Sequence, residues 1–266
     1  MSLKFCPLVS GSSGNCIYIS DGETSFLIDA GISGSGAERA LFEIGADIAD
    51  ITAVFVTHEH SDHISGAGIL SRRHNIPIYT TPGTWKSFSG HGRLASNNKK
   101  MIMPGDAINL GGFKIKAFDI PHDANQPVGF SFFSGGYKVS VATDIGEPND
   151  ILRENLVDSD LMLLESNHDV EMLNNGSYPY PLKKRILGKF GHLSNVSAGQ
   201  LLSEIYSKKL RHVYLGHLSN ENNLPVIAFD TVCRILNANN ISSNCANGLR
   251  VSVAERYYPS TVLELA

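Results

Sequence analysis

A short apolar run, Ala53-Val54-Phe55-Val56, opens directly into Thr57-His58-Glu59-His60-Ser61-Asp62-His63. The run reads as a buried strand. Three imidazoles and two carboxylates therefore leave the end of a core strand within six residues. The stretch that follows, Ile64 to Leu70, reads as a loop entering a helix. On a layered α/β scaffold, catalytic groups sit where a strand end opens into a loop. Histidine is otherwise scarce, with ten in 266 residues.

The spacing carries chemistry. On an extended loop His58 and His60 point to the same side, because side chains alternate, so two neutral imidazoles can grip one metal. Asp62 and His63 lie where the chain begins to turn and can face a second metal beside the first. Imidazole with carboxylate suits zinc, manganese or iron rather than calcium or magnesium alone. A solvated loop that merely holds histidines would not explain alternation directly after a core strand.

The length allows one large domain or two small ones. No repeat, low-complexity stretch or linker divides the chain, so one domain over 1–266 is expected. A formal net charge of −4 argues against a broadly cationic nucleic-acid binder and leaves a local basic groove open. Cys6, Cys16, Cys233 and Cys245 show no Cys-x-x-Cys spacing and read as reduced thiols. There is no secretory signal and no apolar stretch long enough to span a bilayer, so the cytoplasm is the expected compartment and no membrane partner is expected.

Along the chain, strands are read at Lys4–Val9, Cys16–Ser20 and Thr24–Ile28, the last two a hairpin through Asp21-Gly22. A helix follows at Gly36–Ile44, then a strand at Ile76–Thr80 and a helix opened by Thr81-Pro82. Ser89–Lys100 reads as a loop. Further strands are read at Ala107–Leu110, Phe113–Ile120, Val128–Phe133, Tyr137–Ala142, Leu161–Leu164, His212–Leu215 and Leu249–Ala254. Helices are read at Pro181–Phe190, Ser194–Lys209 and Pro225–Leu236. Two runs of strands joined with helices make an α/β unit. Asp29, His122, Asp144, Glu165 and His217 each stand at or just past a strand end.

The pattern His-x-His-x-Asp-His after a short apolar strand resembles that of the metallo-β-lactamase superfamily. The resemblance implies a four-layer αββα sandwich. It implies that one metal takes His58, His60 and His122, that the other takes Asp62, His63 and His217, and that Asp144 bridges them. Asp29 matches the family's first aspartate, expected to orient the metal loop through hydrogen bonds. Two metals so placed hold a hydroxide between them near neutral pH. Glu165 and His192 resemble the glutamate and histidine that ribonuclease Z enzymes use to relay a proton, which makes Asp62, Glu165 and His192 the candidate catalytic residues. His168 is a further candidate, beside the metals or against substrate.

Departures narrow the family. Asp144 stands where cysteine-containing zinc β-lactamases differ, and His60 where the flavodiiron branch carries glutamate. Only 49 residues follow His217, 73 positions separate Asp144 from His217 and 22 separate His122 from Asp144. These spacings leave no room for a glyoxalase II helical domain, a β-CASP insertion or a ribonuclease Z arm. The Ser-Gly-Ser-Ser-Gly-Asn loop at 10–15, Glu165-Ser166-Asn167-His168-Asp169, and Gly-His-Leu-Ser-Asn at 191–195 and again at 216–220 are similar to the YycJ (WalJ) group. That group is associated with metal-dependent DNA exonuclease activity from 5′ ends and with DNA repair. The implied cofactors are two divalent ions, zinc or manganese, with iron possible, and the implied partner is a nucleic acid, DNA above RNA. Ser12, Ser13 and Asn15, whose loop can bring backbone N–H groups to an anion, and Lys183, Lys184, Arg185 and Lys189 are the candidate substrate contacts. Trp85, Tyr178 and Tyr180 offer faces for bases or pack in the fold. A small-molecule hydrolase for a thioester, lactone or cyclic phosphodiester is the alternative. A non-catalytic metal protein is disfavoured, since a structural zinc site needs no seven-ligand set.

Overall fold

The computed structural model describes residues 2–88, 93–244 and 248–266, so Cys245 and residues 89–92 of the expected loop lie outside the described residues. Backbone contacts divide the chain into two units. The first comprises Met1–Asp119, Ala124–Tyr137 and Glu255–Ala266, the second Ile120–Asp123 and Lys138–Ala254.

In the first unit, β1 (Leu3–Val9), β2 (Cys16–Ser20), β3 (Ser25–Ile28), β4 (Ile51–Phe55), β5 (Ile78–Thr80), β6 (Lys99–Met101) and β14 (Leu263–Leu265) form one sheet, in the order β14-β1-β2-β3-β4-β5-β6. Pairing is antiparallel from β14 to β3 and parallel from β3 to β6. Parallel neighbours need crossovers. These carry α1 (Gly34–Glu43), α2 (Ser61–Ile64), α3 (Ala67–His74) and α4 (Pro82–Ser87). The Asp21-Gly22 turn forms as expected: Gly22 takes a positive φ of 94° and Thr24 N–H donates to the Asp21 carboxylate at 2.8 Å. At the start of α4 Thr81 accepts from Thr84 N–H at 3.2 Å, and Pro82 fills the first turn, where no N–H is missed. Asn75 closes α3 in the left-handed conformation.

Strand alternation gives this sheet two apolar faces. Leu27, Val54 and Val56 pack with Ala37, Leu41, Ala67 and Leu70 of the helices. Phe26 and Phe55 point the other way and meet Phe113, Phe130 and Phe132, with ring centroids 5.2–5.8 Å apart and mostly edge-to-face. Those last three belong to the antiparallel run β7 (Ala107–Leu110), β8 (Phe113–Asp119) and β9 (Val128–Ser134). Coverage on both faces is why β4 reads as a continuous apolar run.

The second unit is built on β10 (Tyr137–Ala142), β11 (Leu161–Glu165), β12 (His212–Gly216) and β13 (Arg250–Val253), all parallel. Its helices are α5 (Asp150–Leu156), α6 (Val170–Asn175), α7 (Tyr180–Ile186), α8 (Asn195–Ile205) and α9 (Pro225–Ala238). Leu201, Leu202 and Ile205 are buried along one face of α8. Gly199 brings α8 close to α9, since a Cβ there would stand 2.8 Å from Ile235 Cδ1.

Several elements differ from the reading of the sequence. Strand β6 lies in the expected loop, and α5, α6 and β14 were not anticipated. The helix expected to reach Phe190 stops at Ile186, because the chain doubles back until Gly191 lies against the Ile186 carbonyl, which a Cβ would approach to 2.1 Å. The α8 helix ends four residues early, where Tyr206 turns extended.

Candidate metal centre

In the first unit the histidine loop is suspended from Asp29. This residue directly follows β3, with φ 59°, and is fully buried. Its carboxylate accepts the Thr57 N–H at 2.8 Å and the Thr57 hydroxyl at 3.0 Å, and pairs with His63 Nδ1 at 2.7 Å. The Thr57 hydroxyl has one proton, given to Asp29, so it accepts from His58 Nδ1 at 3.0 Å. Both rings thereby carry their proton on Nδ1 and their lone pair on Nε2. The His58 ring centroid lies 4.1 Å from that of His63 and 4.5 Å from that of His60. His60 precedes α2 and is half-buried, as is Asp62, whose Oδ2 is 3.4 Å from His63 Nε2.

The backbone behind this loop is laced. Asn15 N–H donates to the Asp62 carbonyl at 2.8 Å, Ala30 N–H to that of His63 at 2.9 Å, and Gly31 N–H to that of Asn15 at 2.8 Å. Gly31 lies so close that a Cβ would fall 1.6 Å from Asp62 O.

In the second unit the Asp144 carboxylate is the hub. Its Oδ1 lies 3.6 Å from His122 Nε2, from His192 Nδ1 and from His217 Nε2. Behind two of these rings stands Glu165, the fully buried end of β11. Its Oε1 accepts from His192 Nδ1 at 2.8 Å and His217 Nδ1 at 2.9 Å, and its Oε2 takes the N–H groups of Ile145 and Leu193. His122 Nδ1 donates to the Gly191 carbonyl at 3.1 Å. A carbonyl can only accept, so Nε2 again keeps the lone pair. Asp144 and His217 sit at φ 59° and 55°, a costly conformation for residues with a Cβ.

Electrostatics follow the geometry. Burial opposes ionisation of Glu165, but the charges and hydrogen bonds of His192 and His217 hold its carboxyl well below the usual carboxylate range. Burial likewise opposes a charged His192, yet Glu165, then Asp144, raise it above the ordinary imidazole value. At His122 burial wins, despite Asp144, and the ring titrates low. Burial also pushes His168 down to about 4.

These residues fit a divalent metal by their donor chemistry. Each of four rings (His58, His63, His122 and His217) has Nδ1 held by a protein oxygen and its lone pair on Nε2, the arrangement that orients metal-binding histidines, and at His63 the Asn15 amide approaches that Nε2 at 3.3 Å. Within the second unit alone, ligand atoms of Asp144, Glu165, His192 and His217 all lie within 4.8 Å of one another.

The sequence model of the metallo-beta-lactamase superfamily matches residues 9–174. The chain belongs to the metallo-β-lactamase superfamily. It is 35% identical over 237 residues to exodeoxyribonuclease YycJ of Bacillus anthracis, covering 89% of this chain and 90% of the relative. It is 36% identical over 235 residues to exodeoxyribonuclease WalJ of Streptococcus pneumoniae, covering 87% of each. Among solved structures, the metallo-beta-lactamase fold protein YhfI of Bacillus subtilis shares the fold, with TM-score 0.72 at 18% identity over 98% of this chain and 99% of that one. The superfamily's two mixed sheets flanked by helices are the fold class expected from the motif. Membership makes the chain a metal-dependent hydrolase. Among the described residues no helix is long and apolar enough to cross a membrane.

As a superfamily member, the chain places its other candidates variously. Asn15 is fully buried, its side chain bonded to Ser10, Gly11 and the Asp62 carbonyl, while Ser12 and Ser13 are exposed. Arg185 pairs with Asp123 in a two-point contact, Nε and Nη2 each donating to one carboxylate oxygen, and Lys183 donates to the Asn174 carbonyl. Lys184 is exposed, and Lys189 is exposed near Glu147. His168 is buried, its backbone paired with Ser194. Trp85 is a core residue donating to the Lys100 carbonyl. Residues that sequence reasoning passed over include Glu59, which takes the N–H and amide of Asn125. Asn195 and Asn223 also went unread. They bond each other, Asn195 accepts from Ser166, and Asn223 donates to the Ser166 and Asn167 carbonyls. The Gly-His-Leu-Ser-Asn at 191–195 was the one visible signal of Asn195, whereas Asn223 lies three positions past the second copy, which ends at Asn220.

Proposed function

We propose that this protein is a dinuclear-metal phosphodiesterase that degrades DNA from its 5′ end, a cytoplasmic activity suited to DNA repair. The observation that carries the reading is the Asp144 carboxylate, ringed at 3.6 Å by three imidazoles with Glu165 behind two of them. Similarity to two exodeoxyribonucleases over most of the chain supports the substrate class.

In this reading His58, His60 and His122 would hold one ion and Asp62, His63 and His217 another, with Asp144 available to both. Zinc or manganese suits these donors, and iron nearly as well. Bound ions supply charge relief on phosphoryl oxygens and a nucleophile near neutral pH. The chain's own groups do the rest. Asp29, Glu165 and Gly191 fix the tautomers. His192, whose side chain keeps 17% of its surface exposed, hands a proton to the departing 3′-oxygen, and Glu165 keeps that imidazole protonated. Lys184 and Lys189 are the cations of the expected basic set to offer to phosphates, with Ser12 and Ser13 at an exposed loop tip.

The test is degradation of 5′-phosphorylated, 3′-labelled single-stranded DNA by metal-reconstituted protein. Progressive shortening of label-retaining fragments, lost in Asp62→Ala, is the expected outcome. No cleavage with zinc, manganese or iron would sink the DNA reading.

A further inference from the structure

The first unit holds a cavity of ≈ 430 Å³ that contains none of the proposed metal ligands and meets the proposed substrate contacts only at Ser13. Gly14 and Gly31 form its floor, and Arg39, Glu43, Arg256 and Tyr257 line it. The floor is the back of the metal loop, since Gly31 rests on the Asp62 carbonyl. The far wall is pinned in place: Ser10 N–H donates to the Glu255 carbonyl at 3.0 Å, Glu255 N–H to the Ser260 hydroxyl at 3.0 Å, and Ser260 N–H to the Pro7 carbonyl at 2.9 Å. Arg256 is thereby laid over Gly11, where a Cβ would stand 2.8 Å from its Nη1.

That Nη1 is buried and meets no hydrogen-bond acceptor among the described residues. A buried charged donor left so is costly, and such an atom calls for a partner. Neither Arg256 nor Arg39 pairs with a carboxylate among the described residues. Two guanidiniums against one carboxylate leave the cavity net positive. Tyr257 beside it is 65% exposed and Tyr258 68%, large aromatic faces that folding would otherwise hide. A fixed guanidinium next to exposed rings is what a single strand needs: an anchor for a phosphate and a surface for a base.

We propose that this cavity binds one nucleotide of the substrate strand, with Arg256 and Arg39 on a backbone phosphate and Tyr257 stacked on a base. The inference rests on the reading that the substrate is a nucleic acid, and it adds a strand contact to the first unit that lies behind the metal ligands.

The experiment is fluorescence anisotropy with the full-length, metal-reconstituted protein and a labelled oligothymidylate whose phosphorothioate linkages resist cleavage, over a series of salt concentrations. In Arg256→Ala the affinity falls and the slope of log K against log salt shrinks by about 0.7, the share of one phosphate on a single strand. In Tyr257→Ala the affinity falls about 5- to 150-fold with the slope unchanged, as lost stacking requires. Tyr257 is exposed, so its variant keeps the wild-type melting temperature and reads the site even where Arg256→Ala fails to fold. Wild-type affinity and slope in Tyr257→Ala and Arg39→Ala would overturn the site while leaving any DNA cleavage by the wild type standing. Weakened binding in the variants with no cleavage by the wild type would keep the site and remove the nuclease reading. Absence of oligonucleotide binding by the wild type would remove the site outright.

Discussion

Glu165 is an anion in surroundings that disfavour anions, and four donors keep it charged. Replacing it with leucine would strand two imidazole N–H groups and two backbone N–H groups. We expect a loss of about 3–5 kcal/mol, the usual consequence of breaking a buried pair, read by urea denaturation. Because Glu165 titrates lower folded than unfolded, its stabilisation is present above the ordinary carboxylate range and fades as pH falls toward about 2. The glutamine variant keeps the shape but removes the charge that raises His192. If His192 is the general acid, the alkaline limb of the kcat profile lies above the ordinary imidazole value and moves down in Glu165→Gln. An unmoved limb would remove His192 from the proton path. Asp29→Asn should weaken metal binding by about 10- to 100-fold, as outer hydrogen-bond partners of ligands usually do, measured by competition with a chelator. At this scale the sequence was legible where chemistry was local: His58, His60, Asp62 and His63 announce themselves within six residues. Glu59 and Asn195 were not, because Glu59 finds Asn125 66 positions away and Asn195 finds Asn223 28 away, and nothing short-range records such a partner.

Among elements, strands with both faces covered were legible from apolar runs, as at β2, and β10 also begins and ends where the pattern placed it; so does β7, an exposed strand bracketed by glycine turns. The short edge strands β6 and β14 were not. Each has three residues, too few for a period of two to show, and their pairing is set by the neighbours they join. Helix ends shifted where tertiary contact overrode periodicity, as at Ile186. The approach of Gly31 to α2 makes a sharp prediction. Gly31→Ala would force Asp62 off its backbone position, so metal affinity should fall with far-ultraviolet circular dichroism unchanged. An unaltered affinity would show that the loop can move aside at no cost.

For the molecule as a whole, a metal held as proposed would bind the folded chain and not the unfolded one. At a free metal concentration about 100-fold above Kd this adds about 2.7 kcal/mol, or roughly 5–10 °C in Tm for a chain of this size. A chelator should reverse the shift, and Asp62→Ala or Asp144→Ala should each abolish most of it. A variant that kept the full shift would exclude its residue from the centre. Fold class was legible at this scale because one motif implies a whole architecture. The division into contact units was not, since no linker or change of composition marks it.

Asp29, Asp144 and His217 all stand at strand ends with left-handed backbones. An alanine scan would misprice them. Alanine in that conformation carries about 1–2 kcal/mol of strain that glycine avoids and asparagine largely tolerates. The alanine variants would therefore lose stability for a reason unrelated to metal or proton. Asparagine for the two aspartates and glycine for His217 are the references against which a change in rate reports chemistry alone.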